Sequence, residues 1–319
     1  MIVTNLKGLA RVAAPGVIVQ TFSAVEAPSR WKRIWMLFWR GRHAQHLVLH
    51  FDVGDLALLS MLFSLAGGRR PKITTLDMFA GDPQGWKRRF VQWSVKRVDK
   101  FLVYFRETSA LERMLAVQRE RFRYVPFKIN ALEKVLSAKV SEEPYIFCGG
   151  RSRRDFRTLF DAVRDLPCQV RVLTSDEAGM NPHGSTMKGL EVPTNVEISR
   201  RDWDQPYFID QMAGAKLVVI PLVKDVTTQA GIGVYIQAMA LRKCVIVSQG
   251  LGVNDVLTDQ AVIVPAGDVE ALREAILRYW ADDVSRRSVS ERGYQYATAL
   301  GGEDQLARSV LASLTDATS

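Results

Sequence analysis

The stretch from Lys216 to Asp255 reads KLVVIPLVKDVTTQAGIGVYIQAMALRKCVIVSQGLGVND. An apolar run over residues 217–220 is followed by a polar loop, by a segment of helical composition that ends at Leu241, and by a second apolar run over residues 244–247. Strands that are apolar on both faces belong to parallel sheets covered by helices on both sides. This order therefore predicts an α/β fold built on a parallel sheet.

The polar loop has the composition of an anion site. Thr227 and Thr228 are suitable N-cap residues, and Gly231 and Gly233 leave the first backbone amides of the helix uncovered. The free N–H groups and the positive end of the helix dipole favour a ligand such as a diphosphate. Close packing of the helix against a strand explains the same glycines equally well, so they do not decide the function by themselves.

A longer pattern carries a family resemblance. The run QAGIGVYIQAMA over residues 229–240, followed by KCVI and by Gly250, resembles the donor-site helix of retaining GT-B glycosyltransferases, and family 4 is the closest match. That family carries two glutamates separated by seven residues, whereas this chain has Gln229 and Gln237, which keep hydrogen-bonding capacity and lose charge. The resemblance implies that both glutamines bind hydroxyl groups of the sugar and the ribose, and that any role requiring a carboxylate is lost.

A second point of resemblance follows the predicted strand over residues 145–148. The segment GGRSRRDFRTL over residues 149–159 is similar to the start of the family's donor domain, where a Gly-Arg pair and a downstream cation hold the nucleotide diphosphate. Arg151 matches the first cation by position. The second stays open among Arg153, Arg154 and Arg157, because the Lys-Gly step of the family is absent. A solvated helix start is the alternative for these arginines, but it leaves the Gly-Gly-Arg at a strand end unexplained.

The resemblance also implies that loops after two further strands, over residues 169–173 and 195–198, hold the nucleobase and the ribose. No His, Cys and Asp cluster has metal-ligand spacing, so we predict neither a metal nor a cofactor, only a nucleotide-diphospho-sugar as donor substrate. The predicted donor-binding residues are Arg151, Arg154, Arg157, Ser199, Arg200, Thr228, Gln229, Gly231, Ile232, Gly233 and Gln237.

The first half of the chain alternates short apolar runs with helical segments, which predicts a second doubly wound domain. The expected architecture is GT-B, with two Rossmann-like domains facing a cleft and a trimmed N-terminal domain. We predict an N-terminal domain over residues 1–140, a nucleotide-sugar domain over 141–302, and a terminal helix over 303–319 that crosses back to the first domain.

Composition is that of a soluble globular protein, with 319 residues, 47% hydrophobic and 24% charged. Three cysteines lie in or beside apolar runs, which indicates buried thiols in a reducing compartment. The N-terminus lacks the apolar core of a signal peptide, and no apolar run has the length of a membrane-spanning helix. We therefore expect a cytoplasmic protein.

Charge is divided unequally between the two halves. Residues 1–140 hold 24 Lys and Arg against 10 Asp and Glu, a net charge of +14, and residues 141–319 hold 19 against 24, a net charge of −5, which together make +9. Such asymmetry is typical of a chain whose basic half faces a polyanion or an anionic membrane.

The segment SRWKRIWMLFWRGR over residues 29–42 concentrates both cations and tryptophans. A basic, Trp-rich amphipathic helix is typical of an interfacial membrane anchor, although an ordinary helix that packs its aromatic residues inward has the same composition. Nucleic acid is a less favoured partner, because no recognised nucleic-acid-binding motif is present. The predicted membrane-contact residues are Arg30, Trp31, Lys32, Arg33, Trp35, Trp39 and Arg40.

Two acidic residues follow predicted strands of the first half, where doubly wound folds place their ligands. Asp52 and Asp77 are the candidates for acid–base catalysis, and an inverting enzyme would need one of them as general base on the acceptor hydroxyl. A helix cap or a turn explains either aspartate equally well. His50 is interpreted as a strand residue.

Together these patterns predict a metal-independent glycosyltransferase of hexosyltransferase type. It would move a sugar to a glycan or lipid-linked acceptor of cell-surface polysaccharide or lipopolysaccharide, at the inner face of the cell membrane. Retention is the family expectation, and Asp77 keeps inversion open. Three alternatives remain: a catalytically inactive relative that serves as a binding partner, a sugar-nucleotide epimerase, and a nucleic-acid binder.

Overall fold

The computed structural model describes residues 1–6, 8–22, 29–50, 53–67, 70–78, 83–174, 185, 187–201, 204–224 and 229–315. The chain divides into two compact units, of which the first contains residues 1–126 and 303–319 and the second contains residues 127–302. Among the described residues, no helix has the length and hydropathy needed to cross a bilayer.

The first unit alternates strands and helices. Its described strands are β1 (Ile2–Thr4), β2 (Val19–Thr21), β3 (His46–Leu49), β4 (Lys72–Leu76), β5 (Val98–Val103) and β6 (Phe122–Tyr124). Its described helices are α1 (Leu9–Val12), α2 (Arg30–Gly41), α3 (Val53–Ala66), α4 (Gly85–Val95), α5 (Ser109–Leu115) and α12 (Glu303–Thr315), with a 3₁₀ turn at Arg119–Arg121.

These strands form a parallel sheet in the order β2-β1-β3-β4-β5-β6. The chain runs from β1 to β2 in one direction and from β3 to β6 in the other, so the winding reverses between β1 and β3. Doubly wound sheets place their ligands outside the carboxyl ends of strands at such a reversal. The predicted doubly wound fold of this half is confirmed.

Helix α2 begins at an N-cap, Ser29, whose hydroxyl accepts a hydrogen bond from the Lys32 amide. Ile34, Leu37 and Phe38 are buried, whereas the tryptophans of the helix are exposed. The helix therefore packs Phe38 inward and its three tryptophans outward, because the inward positions are filled by aliphatic residues and this phenylalanine.

Two of the cations predicted to contact a membrane hold α2 against α3. Arg30 Nε lies 2.5 Å from Asp55 Oδ1, and Arg33 Nη2 lies 2.5 Å from Asp55 Oδ2. Asp55 is 2% exposed, so these ion pairs keep its carboxylate from being an unpaired buried charge. Arg30 and Arg33 therefore form an interhelical contact, and their contact with a membrane stays a prediction. Lys32 is exposed and Arg40 is half-buried.

The second unit has the same construction. Its described strands are β7 (Glu143–Gly149), β8 (Gln169–Leu173), β9 (Val196–Ser199), β10 (Ala215–Ile220), β11 (Cys244–Ser248) and β12 (Val262–Val264). Its described helices are α6 (Leu132–Ser137), α7 (Phe156–Val163), α8 (Gln205–Gly214), α9 (Ile232–Ala240), α10 (Val269–Ala281) and α11 (Asp283–Leu300).

All six strands are parallel, in the order β12-β11-β10-β7-β8-β9. The chain runs from β7 outward to β9, returns through α8 to β10, and continues outward to β12. The winding therefore reverses between the neighbouring strands β7 and β10. The parallel sheet predicted from residues 216–255 is confirmed, and the apolar runs over residues 217–220 and 244–247 are its fully buried central strands.

The boundary between the units falls at residues 126 and 127, fourteen residues before the predicted position of 140. The segment over residues 127–140, predicted as part of the first domain, contains α6, which packs on α8 and α9 of the second unit. The segment therefore belongs to the second unit because its own helix is part of that unit's packing.

Candidate functional site

The carboxyl ends of β7 and β10 are held together by their loops. The Asp155 amide donates to the Pro221 carbonyl (3.1 Å), and the Val223 amide donates to the Arg153 carbonyl (3.0 Å). Between these two bonds, Arg154 pairs with Leu222 in an isolated antiparallel bridge. The loop after β7 is thereby fixed at the point where the winding of the sheet reverses, which is the expected ligand position in this class of fold.

Arg154 turns its side chain into this position. Its Nε donates to the Gly149 carbonyl (2.9 Å) and its Nη1 donates to the Ser152 carbonyl (2.8 Å). The residue is 2% exposed. Within the described part of the chain, no carboxylate forms an ion pair with it. A buried guanidinium held only by neutral carbonyls is an uncompensated positive charge, which an anionic ligand would neutralise.

The glycines of the site make room for this guanidinium. A Cβ atom on Gly150 would lie 2.4 Å from Arg154 Nη2, and one on Gly231 would lie 3.8 Å from Arg154 Nη1. Both glycines also have positive φ, +104° and +79°, which L side chains rarely adopt. The guanidinium therefore lies beside the turn over residues 231–233, here called the glycine turn.

Helix α9 starts within the glycine turn. Gly231 is its N-cap, and the Gly231 carbonyl accepts from the amides of Val234 (3.0 Å) and Tyr235 (2.9 Å). The amides of Ile232 and Gly233 have no acceptor within the helix, since the first N–H groups of a helix never do. The N-cap lies three residues after Thr228, which was predicted for that position, and Thr227 and Thr228 lie outside the described residues.

Burial lowers the pKa of Arg154 to about 10, opposed by the thiol of Cys148. The guanidinium remains cationic at neutral pH, because its pKa stays well above 7. The pKa of Arg154 is lowered because its charge has been removed from water without an acidic partner. An anion with two or more oxygens at this position would raise the pKa again.

The structure distinguishes Arg154 from the neighbouring arginines. Arg157 lies on the exposed side of α7, and Arg153 has a positive φ of +57° that turns the chain before Arg154. The Arg151 carbonyl accepts from Ser185 Oγ (2.5 Å), which itself accepts from the Arg154 amide (2.7 Å). Ser185 fixes the loop, and sequence reasoning missed it because it lies in a polar segment without any motif.

The two glutamines of the motif have different surroundings. Gln229 is half-buried and lies two residues before the glycine turn. Gln237 is 6% exposed, and its Nε2 donates to the Asn130 carbonyl (3.0 Å). Its amide therefore anchors the segment that precedes α6, a contact that the sequence did not predict.

The remaining predicted donor residues lie farther along the sheet. Ser199 ends β9, and its carbonyl accepts from the Thr174 amide (3.0 Å). Arg200 follows it and is exposed. Strand β8 separates β9 from β7, which puts these residues roughly 10 Å from the Arg154 loop at ~4.8 Å per strand. They stay predictions for the nucleobase and ribose.

A second cluster lies at the winding reversal of the first unit. The Asn5 side chain donates to the His50 carbonyl and accepts from the His50 amide, both at 2.8 Å. Nδ1 of the His50 ring lies 3.0 Å from the Leu76 carbonyl, and Asp77 follows directly with φ of +49°. His50 follows β3 instead of lying within it, because the strand ends at Leu49. Asp52 lies outside the described residues.

Burial also raises the pKa of Asp77, and the nearby His50 opposes the shift. The hydroxyl of Tyr104 has a raised pKa for the same first cause, strengthened by Asp77 and Glu303. Desolvated carboxyls beside a second titratable group are enriched at functional sites, so Asp77 stays a candidate.

Replacing Asp77 with Asn is expected to raise the thermal midpoint by a few degrees at pH 7. The folded-state pKa of Asp77 lies above its unfolded value near 3.8, so the ionised carboxylate destabilises the folded state above that folded-state pKa. The gain must shrink as pH falls and vanish below the unfolded pKa, where both states are protonated. Calorimetry of both proteins across pH 3.5–8 measures this, and an equal gain at every pH would contradict it.

Residues 143–282 match the family model described as "Glycosyl transferases group 1", which covers most of the second unit. Curated protein sequences contain no significant relative. The described residues contain no group of three or more His, Cys, Asp or Glu side chains arranged to hold a metal ion.

Solved structures similar to this chain include GT-B glycosyltransferases. Sucrose-phosphate synthase from Thermosynechococcus elongatus has 16% identity and a TM-score of 0.68, over 95% of this chain and 80% of that one. HepE from Anabaena in complex with UDP has 13% identity and a TM-score of 0.66, over 94% and 86%. The HepE complex with UDP-glucose has 11% identity and a TM-score of 0.66, over 93% of this chain and 85% of that one. At these identities the likeness establishes the fold, which is GT-B as predicted.

Proposed function

We propose that this GT-B protein with its glycosyl transferase group 1 domain moves a hexose from a nucleotide-diphospho-sugar to a glycan or lipid-linked acceptor. The acceptor is of the cell-surface polysaccharide or lipopolysaccharide type and is presented at the inner face of the cell membrane. The single observation that carries the donor half of this proposal is Arg154, a buried cation without a carboxylate partner among the described residues.

The donor diphosphate binds between Arg154 and the glycine turn. The guanidinium offers N–H groups to the phosphate oxygens, and the amides of Ile232 and Gly233 offer two more at the positive end of α9. Negative charge grows on the diphosphate as the bond to the sugar breaks, and these preorganised donors stabilise it. They replace a divalent metal, so the reaction is metal-independent.

Two findings support a nucleoside diphosphate as the ligand. The complexes of Anabaena HepE contain UDP and UDP-glucose in a protein of the same fold. A diphosphate also offers two linked phosphoryl groups, one for the arginine and one for the helix start, whereas a monophosphate offers a single group. Gln229, Ser199 and Arg200 are proposed to contact the sugar and nucleoside.

The acceptor is proposed to bind the first unit. Asp77 is the candidate general base if the reaction inverts the anomeric carbon, because its raised pKa suits proton abstraction better than an ordinary aspartate does. If the reaction retains configuration, no such base is required and Asp77→Asn should keep most of its activity. The anomeric configuration of the product distinguishes the two mechanisms.

Calorimetric titration with UDP, GDP, ADP and TDP, and with the matching monophosphates, tests the donor site. We expect micromolar binding of at least one diphosphate and roughly tenfold or weaker binding of its monophosphate, since one charge-assisted hydrogen bond contributes about 1.5–3 kcal/mol. Transfer of labelled sugar to lipid extract then tests the reaction. Failure of every diphosphate to bind would overturn the proposal, and binding without transfer or epimerisation would favour an inactive relative.

A further inference from the structure

Three helices of the first unit lie side by side on one face of its sheet. Helices α2, α3 and α4 connect β2 to β3, β3 to β4 and β4 to β5, all in the same direction across the sheet. Right-handed crossovers in one direction place their helices on the same face, and α3 packs against both α2 and α4. The outward sides of these helices therefore form one surface.

That surface is unusually apolar. Each of the three helices exposes large hydrophobic side chains, including Trp31 (70% exposed), Leu65 (77%) and Trp86 (74%). The full set, here called the aromatic face, is Trp31, Trp35 and Trp39 on α2, Met61 and Leu65 on α3, and Trp86, Phe90 and Trp93 on α4. At ~200 Å² per side chain, about half exposed, these eight side chains together expose on the order of 900 Å² of apolar surface.

The aromatic residues follow helical spacing on the outside of their helices. On α2 they recur every four residues, and the rings of Trp35 and Trp39 are 5.8 Å apart. On α4, Phe90 and Trp93 stack with ring centroids 6.1 Å apart. The inward positions of both helices are filled by other buried residues, so these rings have not been displaced from a core.

The charge around the aromatic face has one sign. Helices α2 and α4 contain no acidic residue, and the single carboxylate of α3, Asp55, is 2% exposed and paired with Arg30 and Arg33. Exposed cations flank the rings, and the Arg42 guanidinium lies 5.2 Å from the Trp39 ring centroid. Further exposed cations on these helices and at their C-terminal ends include Lys32, Lys87, Arg89 and Lys96.

We propose that the aromatic face docks on an anionic lipid bilayer, with the rings of α2 and α4 at headgroup depth and the cations on lipid phosphates. Tryptophan concentrates at membrane interfaces, and flanking Lys and Arg each contribute about 1 kcal/mol on an anionic surface. A protein partner would also cover apolar area, but protein interfaces are depleted in Lys at their centre. The docking deepens the proposed function by naming the lipid surface that presents the acceptor, and its physics does not depend on the donor site.

Co-sedimentation with vesicles tests the docking. The full chain is mixed with vesicles of phosphatidylcholine alone, or with about 30% phosphatidylglycerol. The variants are Trp31→Ser/Trp35→Ser/Trp39→Ser and Trp86→Ser/Phe90→Ser/Trp93→Ser. The matched control is Leu277→Ser/Val284→Ser, which removes exposed hydrophobic residues from the second unit.

We expect the wild type and the control to bind anionic vesicles, and either triple variant to bind at least about tenfold more weakly. Nucleoside diphosphate affinity, measured on each variant, should equal that of the wild type and shows that the variant is folded. If a variant fails this check, the docking is tested on the wild type instead, by quenching its Trp fluorescence with brominated lipid. Most of the Trp emission should be quenched, because five of the seven tryptophans belong to the aromatic face.

Three results would overturn the docking. The first is an α4 variant that binds anionic vesicles as tightly as the wild type does, and the second is equal binding of the wild type to neutral and anionic vesicles. The third is release of the protein from vesicles by a single-stranded oligonucleotide that it binds more tightly than it binds the vesicles. Vesicle binding that persists in a protein unable to bind any nucleotide would instead refute the proposed function and leave the docking intact. The two proposals therefore fail separately.

Discussion

Nucleoside diphosphate affinity should fall roughly 30- to 1,000-fold when Arg154 is replaced by methionine. The substitution removes charge-assisted hydrogen bonds that together contribute about 2–4 kcal/mol, where each 1.4 kcal/mol is tenfold. Methionine fills most of the buried volume and carries no charge, so the cost of burying an unpaired cation disappears with the cation. The thermal midpoint without nucleotide should therefore change little, although the carbonyls of Gly149 and Ser152 lose their donors.

Arg157→Met is the matched control for this result. It removes an arginine three residues away that is exposed on α7, so we expect less than about a twofold change in affinity. Titration calorimetry of the wild type and both variants with the preferred diphosphate makes the comparison. If the Arg154 variant binds as the wild type does, or if the Arg157 variant is the one that weakens, the diphosphate does not bind at Arg154.

The second large effect is on stability and concerns Gln237→Glu. The wild-type amide donates to the Asn130 carbonyl from a side chain that is 6% exposed. An ionised carboxylate at this position would place an acceptor oxygen against the acceptor oxygen of the Asn130 carbonyl, and it would be buried without a cation. Together these effects lower the free energy of unfolding by about 3 kcal/mol. For a unit of this size the thermal midpoint should fall by roughly 6–12 °C at pH 8.

The loss should depend on pH with a definite sign. Burial and the facing carbonyl would raise the pKa of the introduced glutamic acid in the folded state above its unfolded value near 4.3. The destabilisation is complete above the raised pKa and disappears below the unfolded one, where the protonated acid donates to the carbonyl as the amide did. Gln237→Met is the control, because it removes the donor without adding charge. Its free energy of unfolding should fall by about 1 kcal/mol, and this smaller loss should be the same at every pH.

Calorimetric scans from pH 4 to 8 decide between these outcomes. A Glu variant as stable as the wild type at pH 8 would show that the Asn130 contact does not constrain this position. The resemblance to family 4 implies a glutamine that binds donor hydroxyls, whereas the observed contact gives the same residue an internal partner. The difference arises because the segment at the start of the second unit lies against α9, which no local sequence pattern shows.

The central strands of both sheets were predictable because each contains a short apolar run between polar segments. In a parallel sheet covered by helices on both faces, a central strand has apolar residues at successive positions, as in Leu217–Ile220, so the run is easily recognised. Helix α11 (Asp283–Leu300) was not predicted, since its sequence is polar and contains Gly293. A Cβ at Gly293 would lie 2.9 Å from the Gln260 carbonyl and from Met239 Cγ, so that glycine is required by close packing instead of marking a break.

Side-chain direction could not be predicted from spacing. Four arginines in seven residues offered several candidates for the second cation, and the choice of Arg154 depends on positive φ at Gly150 and Arg153. The tryptophans of α2 raised the same difficulty, because inward and outward packing require the same composition. In both cases the tertiary environment decides which residue is buried, and that environment is built by segments distant in sequence.

The chain passes from one compact unit to the other twice, after residue 126 and after residue 302. Helix α12 packs on α1, where Arg11 Nη2 lies 2.6 Å from Asp304 Oδ1 and a Cβ on Gly8 would lie 3.2 Å from Ala307 Cβ. Shortening the gene from its 3′ end would therefore damage the N-terminal unit first. A self-sufficient version of that unit calls for circular permutation, with residues 303–315 joined ahead of Met1, whereas the second unit is continuous in sequence over residues 127–302.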